Sequence, residues 1–273
     1  MPSVLNALGA PPPGAERNVA LATLLGALAV GAWSVLWAWS ASPYARYVAH
    51  GGWLDTGAFA ELCRTIPAGT IVVPAVLYAL AWVLMITAMM LPTTYPVLGI
   101  FRAITRGRPD AGKLVALVVG GFFAAWFAFG LVAHLADGAL AWLGARNPWL
   151  ELHGWVAGAT VLATAGLFQF SALKYRCLEQ CHTPFAFVAS RWHGRNAPRE
   201  AFRLGVDHGV FCVGCCWALM LCMFAVGTGS IGWMFLLAAL MAAEKNLPGG
   251  TKLRLPIGLG LIGAAGAVVV AHI

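Results

Sequence analysis

The chain has 273 residues, 60% of them hydrophobic and only 10% charged, with a mean hydropathy of +0.80. Soluble globular chains carry about 25% charged residues, so these residues cannot make a water-facing surface, and such high hydrophobicity equally excludes disorder. The net charge of +7 bears on topology rather than on a nucleic-acid partner, and none is expected.

Residues 1–18 read as a flexible N-terminal tail. They hold Pro11-Pro12-Pro13 and lack a basic run ahead of an apolar stretch, so they do not read as a secretory signal. Residues 19–273 read as a single integral membrane helical domain. A spanning helix needs about 20 mostly apolar residues. Seven stretches qualify or come near: Val19–Trp39, Thr70–Leu91, Leu114–Trp142, Leu152–Leu173, Leu204–Val226, Ile231–Ala243 and Leu255–Ala271. The third is overlong and its apolarity is interrupted by His134 and Asp137. The sixth is short, which suits a tilted, re-entrant or bundle-buried segment. The expected fold class is all-α, a polytopic transmembrane helical bundle of about seven spans.

Lysine and arginine set the orientation. With the N-terminus inside, the inner segments hold Arg17, Arg102, Arg106, Arg108, Lys113, Lys174, Arg176, Arg191, Arg195, Arg199, Arg203, Lys245, Lys252 and Arg254, 14 of the 17 basic residues. Only Arg46, Arg64 and Arg146 fall outside. The prediction is N-in/C-out in a bacterial cytoplasmic (inner) membrane, with the lipid bilayer as first partner. The largest outer connection, 41–69, carries Tyr44, Tyr47 and Trp53, suited to the interface. The largest inner one is 175–201. Neither is long enough for an independent domain, so any chemistry sits in the membrane or at its edge. No inverted repeat of the transporter type is present.

Six of the seven cysteines lie in or inside the membrane under this topology. Cys63 alone faces the outer side, so a disulfide framework is not expected. The segment Asp207-His208 to Met220 is the most informative. On a helix His208, Cys212, Cys216, Met220 and Met223 form one stripe, with Cys215 beside it. Thiolate and thioether donors select copper(I), zinc or iron–sulfur clusters. The alternative is that cysteine is simply a small buried hydrophobe at a close helix interface.

A second cluster, Cys177-Leu-Glu-Gln-Cys181-His182, lies where the fourth span leaves the membrane, with Pro184 stopping the helix nearby. A third is Trp82-x2-Met85-x3-Met89-Met90-x-Pro92, whose Met85 and Met89 share a face. At 1.5 Å per residue, Met89 and Met85 sit roughly 3 and 9 Å from the inner end of their span, and Cys212 about 13 Å beyond Arg203. Glu244 and Lys245 end the sixth span on the same side, where Glu244 is a charge partner or ligand and Lys245 a snorkelling anchor. These groups share the inner leaflet; whether they share an azimuth is open. A separate outer group, His134, Asp137 and His153, has the makings of a second site for copper, zinc or iron, with His50 and Asp55 in range.

Gly166-Leu-Phe-Gln169, Leu173-Lys174 with Cys177 and Cys181, Cys212-Val-Gly-Cys215-Cys216-Trp217-Ala-Leu-Met220, Trp233-Met234 and Glu244-Lys245 together resemble the DUF2182 family, as does the 82–92 run. That family is described as predicted metal-binding integral membrane proteins. The resemblance covers 82–92 and 166–245 and implies a membrane helical bundle with a metal site at Cys177, Cys181, Cys212, Cys215 and Cys216. It implies no reaction. This chain has Phe168 where members usually have tyrosine, which removes a hydroxyl, and His182 where they have arginine, which adds a ligand. Most members lack the His134/Asp137 pair.

The expected function is metal handling, most directly of copper, at an inner-leaflet site of cysteines, Met85, Met89, His208 and Glu244, with zinc or iron as other candidates. Two rivals stand beside it. One is a membrane-bound metal-dependent oxidoreductase or oxygenase; the other is an accessory subunit whose tryptophan-rich faces bury partner subunits. No P-loop, G-x-S-x-G, H-E-x-x-H or C-x-x-C-H motif occurs.

Overall fold

The structure is a computed structural model that describes residues 15–41, 72–144, 146–147, 149, 153–226 and 230–273; for 15–18, 72–78, 141 and 226 the backbone alone is described. Cys63, His50, Asp55 and the interface aromatics Tyr44, Tyr47 and Trp53 lie outside the described residues, as do Arg46, Arg64 and the first 14 residues. Among the described residues there is no strand, and the chain runs as α1 (Ala15–Ser40), α2 (Val72–Met89), α3 (Tyr95–Ile104), α4 (Ala111–Gly144), α5 (Trp155–Phe168), α6 (Ala172–His182), α7 (Pro184–Ala189), α8 (Ala197–Val226), α9 (Ile231–Asn246) and α10 (Arg254–His272). Single 3-10 turns, Leu91–Thr94 and Gly250–Leu253, lead into α3 and α10.

Among the described residues four helices are long and apolar enough to cross a membrane: α1, α4, α8 and, with its preceding turn, α10. Two further spans result if α2 with α3, and α5 with α6, each count as one bent crossing. By length and composition the described residues thus give four spans, or up to six, beside the seven expected. α9, at 16 residues, falls short.

Both bends bear on the expected spans. α2 ends at Met89, close to the expected limit at Leu91, and the chain turns by 51° into the helix that ends at Ile104. Pro92 removes a backbone donor there, and the hydroxyls of Thr93 and Thr94 donate to the carbonyls of Met90 and Leu91, both at 2.7 Å. Span four does not run unbroken to Leu173. Ser171 is extended and its Oγ accepts from the Lys174 N–H at 3.1 Å, capping a new helix at 63° to the first. His134 and Asp137, by contrast, interrupt only the apolarity of α4, which is continuous over 34 residues. α8 starts well before Leu204, because Glu200 in its first turn accepts the backbone N–H groups of His193, Gly194, Arg195 and Asn196.

α8 is the axle of the fold. It packs on α4, α5, α6 and α9, while α10 lies on α5 and α1 on α2. In its most apolar stretch 67% is buried, against 28% for α4, 22% for α1 and 17% for α10. Leu131, Val132 and Leu135 of α4 and Leu255 and Leu259 of α10 stay exposed, so the outer helices turn apolar faces outward as lipid-facing helices do. Glycines let α4 and α8 approach: a Cβ on Gly205 would strike the Val118 carbonyl, and one on Gly121 the Phe202 carbonyl. This is small-residue packing of the kind membrane helices use.

Candidate metal centre

α8 places its sulfur stripe on a helix that is enclosed nearly all round. His208, Cys212, Cys216, Met220 and Met223 are all buried, as are Cys215 and Cys222. Met85, Met89 and Met90 of α2 and its end, Cys177 of α6, and Met234 and Met241 of α9 belong to the same core. The cysteines and methionines that the sequence scatters over 160 residues thus meet in one interior.

Within that core α6 is laid against α8. Cys177 Sγ rests where Gly214 has no side chain: a Cβ there would stand 2.6 Å from the sulfur. One turn on, the half-buried Cys181 packs against the same core on the side of Cys215. Cys215 Sγ lies 3.3 Å from Cys216 Sγ and 3.1 Å from the Cys212 carbonyl. The cysteines of α6 and α8 are all free thiols. Two thiols in contact, Cys215 and Cys216, thus lie inside, and the half-buried Cys181 lies nearer the rim.

α9 supplies charge. Glu244 Oε2 accepts from Lys174 Nζ at 2.6 Å, with both side chains almost wholly buried, and His182 Nε2 lies 2.8 Å from the Glu244 carbonyl. Glu244 Oε1 has no hydrogen-bond partner. Lys245 does not snorkel. It is 5% exposed and turns inward, with Nζ 2.7 Å from Cys212 Sγ, 3.4 Å from Thr93 Oγ1 and 3.9 Å from Met90 Sδ. The break after α2 is what brings Met90 and Thr93 to it.

Lys174, Lys245, Met90 and Thr93 were missed as site residues. The available signal was a lysine at the edge of an apolar run, which reads equally as an interface anchor.

His208 is enclosed by aromatic rings, stacked on Phe122 at 5.7 Å and edge-on to Phe187 at 5.6 Å, and its Nδ1 has no hydrogen-bond partner. Just before α5, His153 stacks on Trp149 at 4.5 Å, with its Nδ1 2.8 Å from the Trp149 carbonyl. Asp137 is buried and His134 lies one turn before it on α4. Among the described residues, no three His, Cys, Asp or Glu side chains stand at metal-holding separations. What the core offers is a soft donor set, free thiols beside thioethers in an apolar interior, and that chemistry suits copper(I).

A family profile, PpoB2, described as copper chaperone, matches residues 79–268. That stretch takes in every clustered thiol described above. No curated protein and no solved structure matches the chain.

Proposed function

The chain belongs to the PpoB2 family of copper chaperones, and on that premise we propose that it carries copper(I) within the membrane on the sulfurs of α6 and α8. The observation that carries this reading is the contacting pair of free thiols Cys215 and Cys216, with the half-buried free thiol Cys181 packed against the same core. Copper(I) moves between proteins by thiol exchange: a new copper–sulfur bond forms as an old one breaks, and each thiol that binds releases its proton. Cys181 is the accessible end at which a donor or acceptor thiolate exchanges. Cys215 and Cys216 hold the ion away from water, with Cys177, Met85, Met89 and Met90 as flanking donors. His208 and Glu244 act beside the sulfurs, His208 as a base and Glu244 as the charge partner of Lys174.

In this reading the two bent pairs each cross the membrane, α9 makes a short seventh crossing, and the N-terminus faces the cytoplasm. Arg102, Arg106, Arg108 and the basic residues between α6 and α8 then lie on the inner side, and Cys181 opens toward a reducing compartment that keeps copper monovalent. The resemblance to DUF2182 points the same way, to a metal-binding membrane protein.

The test is copper(I) titration of the purified full chain in detergent under reductant, against a chromophoric copper(I) chelator. The wild type is expected to bind copper stoichiometrically. A Cys215→Ser/Cys216→Ser variant is expected to lose that binding while still inserting and running as a folded peak. Binding that persists in the double variant would move the site elsewhere, and no binding by the wild type would overturn the copper reading.

A further inference from the structure

Three side chains that carry charge in water are buried together where α6, α8 and α9 meet: Lys174, Glu244 and Lys245. Lys174 and Glu244 neutralise one another at 2.6 Å. Lys245 is left over. Among the described residues it forms no ion pair with a carboxylate, and its contacts are the thiol of Cys212, the hydroxyl of Thr93 and the thioether of Met90. An uncompensated cation in an apolar interior is costly, so its place against the Cys212 thiol calls for a reason.

We propose that Lys245 sets the metal preference of this core, favouring a monovalent, low-coordinate ion over a divalent, tetrahedral one. The inference rests on the copper reading above and says how that site discriminates.

Two effects act together. The first is the number of sulfurs on offer. Cys215 and Cys216 form a contacting pair, whereas Cys212, one turn away, has its sulfur engaged by the Lys245 ammonium at 2.7 Å. Copper(I) is content with few soft donors, while zinc in protein sites almost always takes four. Holding Cys212 back costs zinc a ligand that copper(I) does not need.

The second effect is charge. A monovalent ion on two thiolates carries one negative charge, which Lys245 cancels. A divalent ion on the same two thiolates is already neutral, and the ammonium then leaves an unbalanced positive charge in a medium that screens it poorly. Lys245 therefore works as a positioning and charge-balancing residue, not as a ligand.

The experiment compares copper(I) and zinc(II) affinities of the full chain in detergent, each by competition with a chelator of known affinity, for wild type, Lys245→Met and Lys245→Arg. Lys245→Met frees the Cys212 thiol and removes the charge, so the ratio of copper(I) to zinc(II) affinity is expected to fall by at least about ten-fold. Lys245→Arg keeps the charge and the donor to sulfur, and is expected to hold the wild-type ratio. Adding Cys212→Ser to Lys245→Met is expected to cancel the part of the zinc gain that comes from the released thiol.

A merely structural lysine would weaken both metals alike, and an unmoved ratio in Lys245→Met overturns the inference while leaving the copper reading standing. Failure of the wild type to bind copper(I) overturns both. Should Lys245→Met not fold, Lys245→Gln removes the charge while keeping a donor for Cys212, and an unmoved ratio there counts equally against the proposal.

Discussion

Lys174 Nζ on α6 donates to Glu244 Oε2 on α9 at 2.6 Å, an ion pair between residues 70 apart in sequence and almost without solvent exposure. It ties the helix that carries Cys177 and Cys181 to the helix that carries Lys245. The geometry of the thiol core therefore depends on a bond made outside it.

Removing one partner of a buried pair leaves the other charge stranded, which costs about 3–5 kcal/mol. Glu244→Ala is accordingly expected to lower the thermal unfolding midpoint in detergent substantially. The double variant Lys174→Met/Glu244→Leu should recover most of the loss, because apolar replacements of a buried pair are often neutral. A wild-type midpoint for Glu244→Ala would show that water reaches this pair. Copper(I) binding by the double variant would show that Glu244 is no donor.

Adjacent glycines on α4 should respond with opposite signs. A Cβ at Gly120 meets nothing within 4 Å, whereas one at Gly121 would strike the backbone of Phe202 and Val206 on α8. Gly120→Ala is expected to stabilise by up to about 1 kcal/mol, through helix propensity alone. Gly121→Ala must push α8 away and should destabilise by about 1–3 kcal/mol, as overpacking does. Equal effects of the two in thermal unfolding would mean that α4 and α8 do not approach as closely as described.

Much of this was legible in the sequence, and the exceptions share a cause. Apolar length alone located α1, α4, α8 and α10, and helical spacing placed His208, Cys212 and Cys216 on one stripe. The bend at Ser171 escaped notice because the apolar run was read through it to Leu173, and the helix that follows Pro92 because the span was ended at Leu91; it takes the local hydrogen bonds of Thr93, Thr94 and Ser171 to turn the chain. Lys174 and Lys245 were counted as topology-setting charges because a lysine at the end of an apolar segment looks the same whether it reaches out to headgroups or in to a partner. Only the partner distinguishes them, Glu244 for one and Cys212 for the other, and both partners lie far off in sequence. The basic bias that set the orientation survives without these two, since the loop arginines remain.

The outer histidines are a test of the opposite kind. His153 is held against Trp149 by stacking and by its Nδ1 contact with the Trp149 carbonyl, an arrangement that commits one ring nitrogen locally. His134→Ala is therefore expected to leave copper stoichiometry unchanged in elemental analysis. Loss of a separate metal equivalent, with the sulfur site still loaded, would restore His134, Asp137 and His153 as a second centre.

Gly214 offers the sharpest probe of whether Cys177 belongs to the donor set or only packs. Its missing side chain is the space that Cys177 Sγ occupies, and an alanine Cβ would stand 2.6 Å from that sulfur and 3.5 Å from Cys177 Cβ. The obstruction is the tip of a side chain, not backbone, so the thiol can swing to another rotamer at a cost of about 1 kcal/mol while the helices stay in place. Gly214→Ala should thus leave the unfolding midpoint near that of the wild type and still move one sulfur. If Cys177 donates to copper, Gly214→Ala and Cys177→Ala will lower copper(I) affinity by the same factor, because each subtracts the same ligand by a different route. If both bind copper as the wild type does, Cys177 is packing, and the binding thiols reduce to those of α8 with Cys181 at the rim.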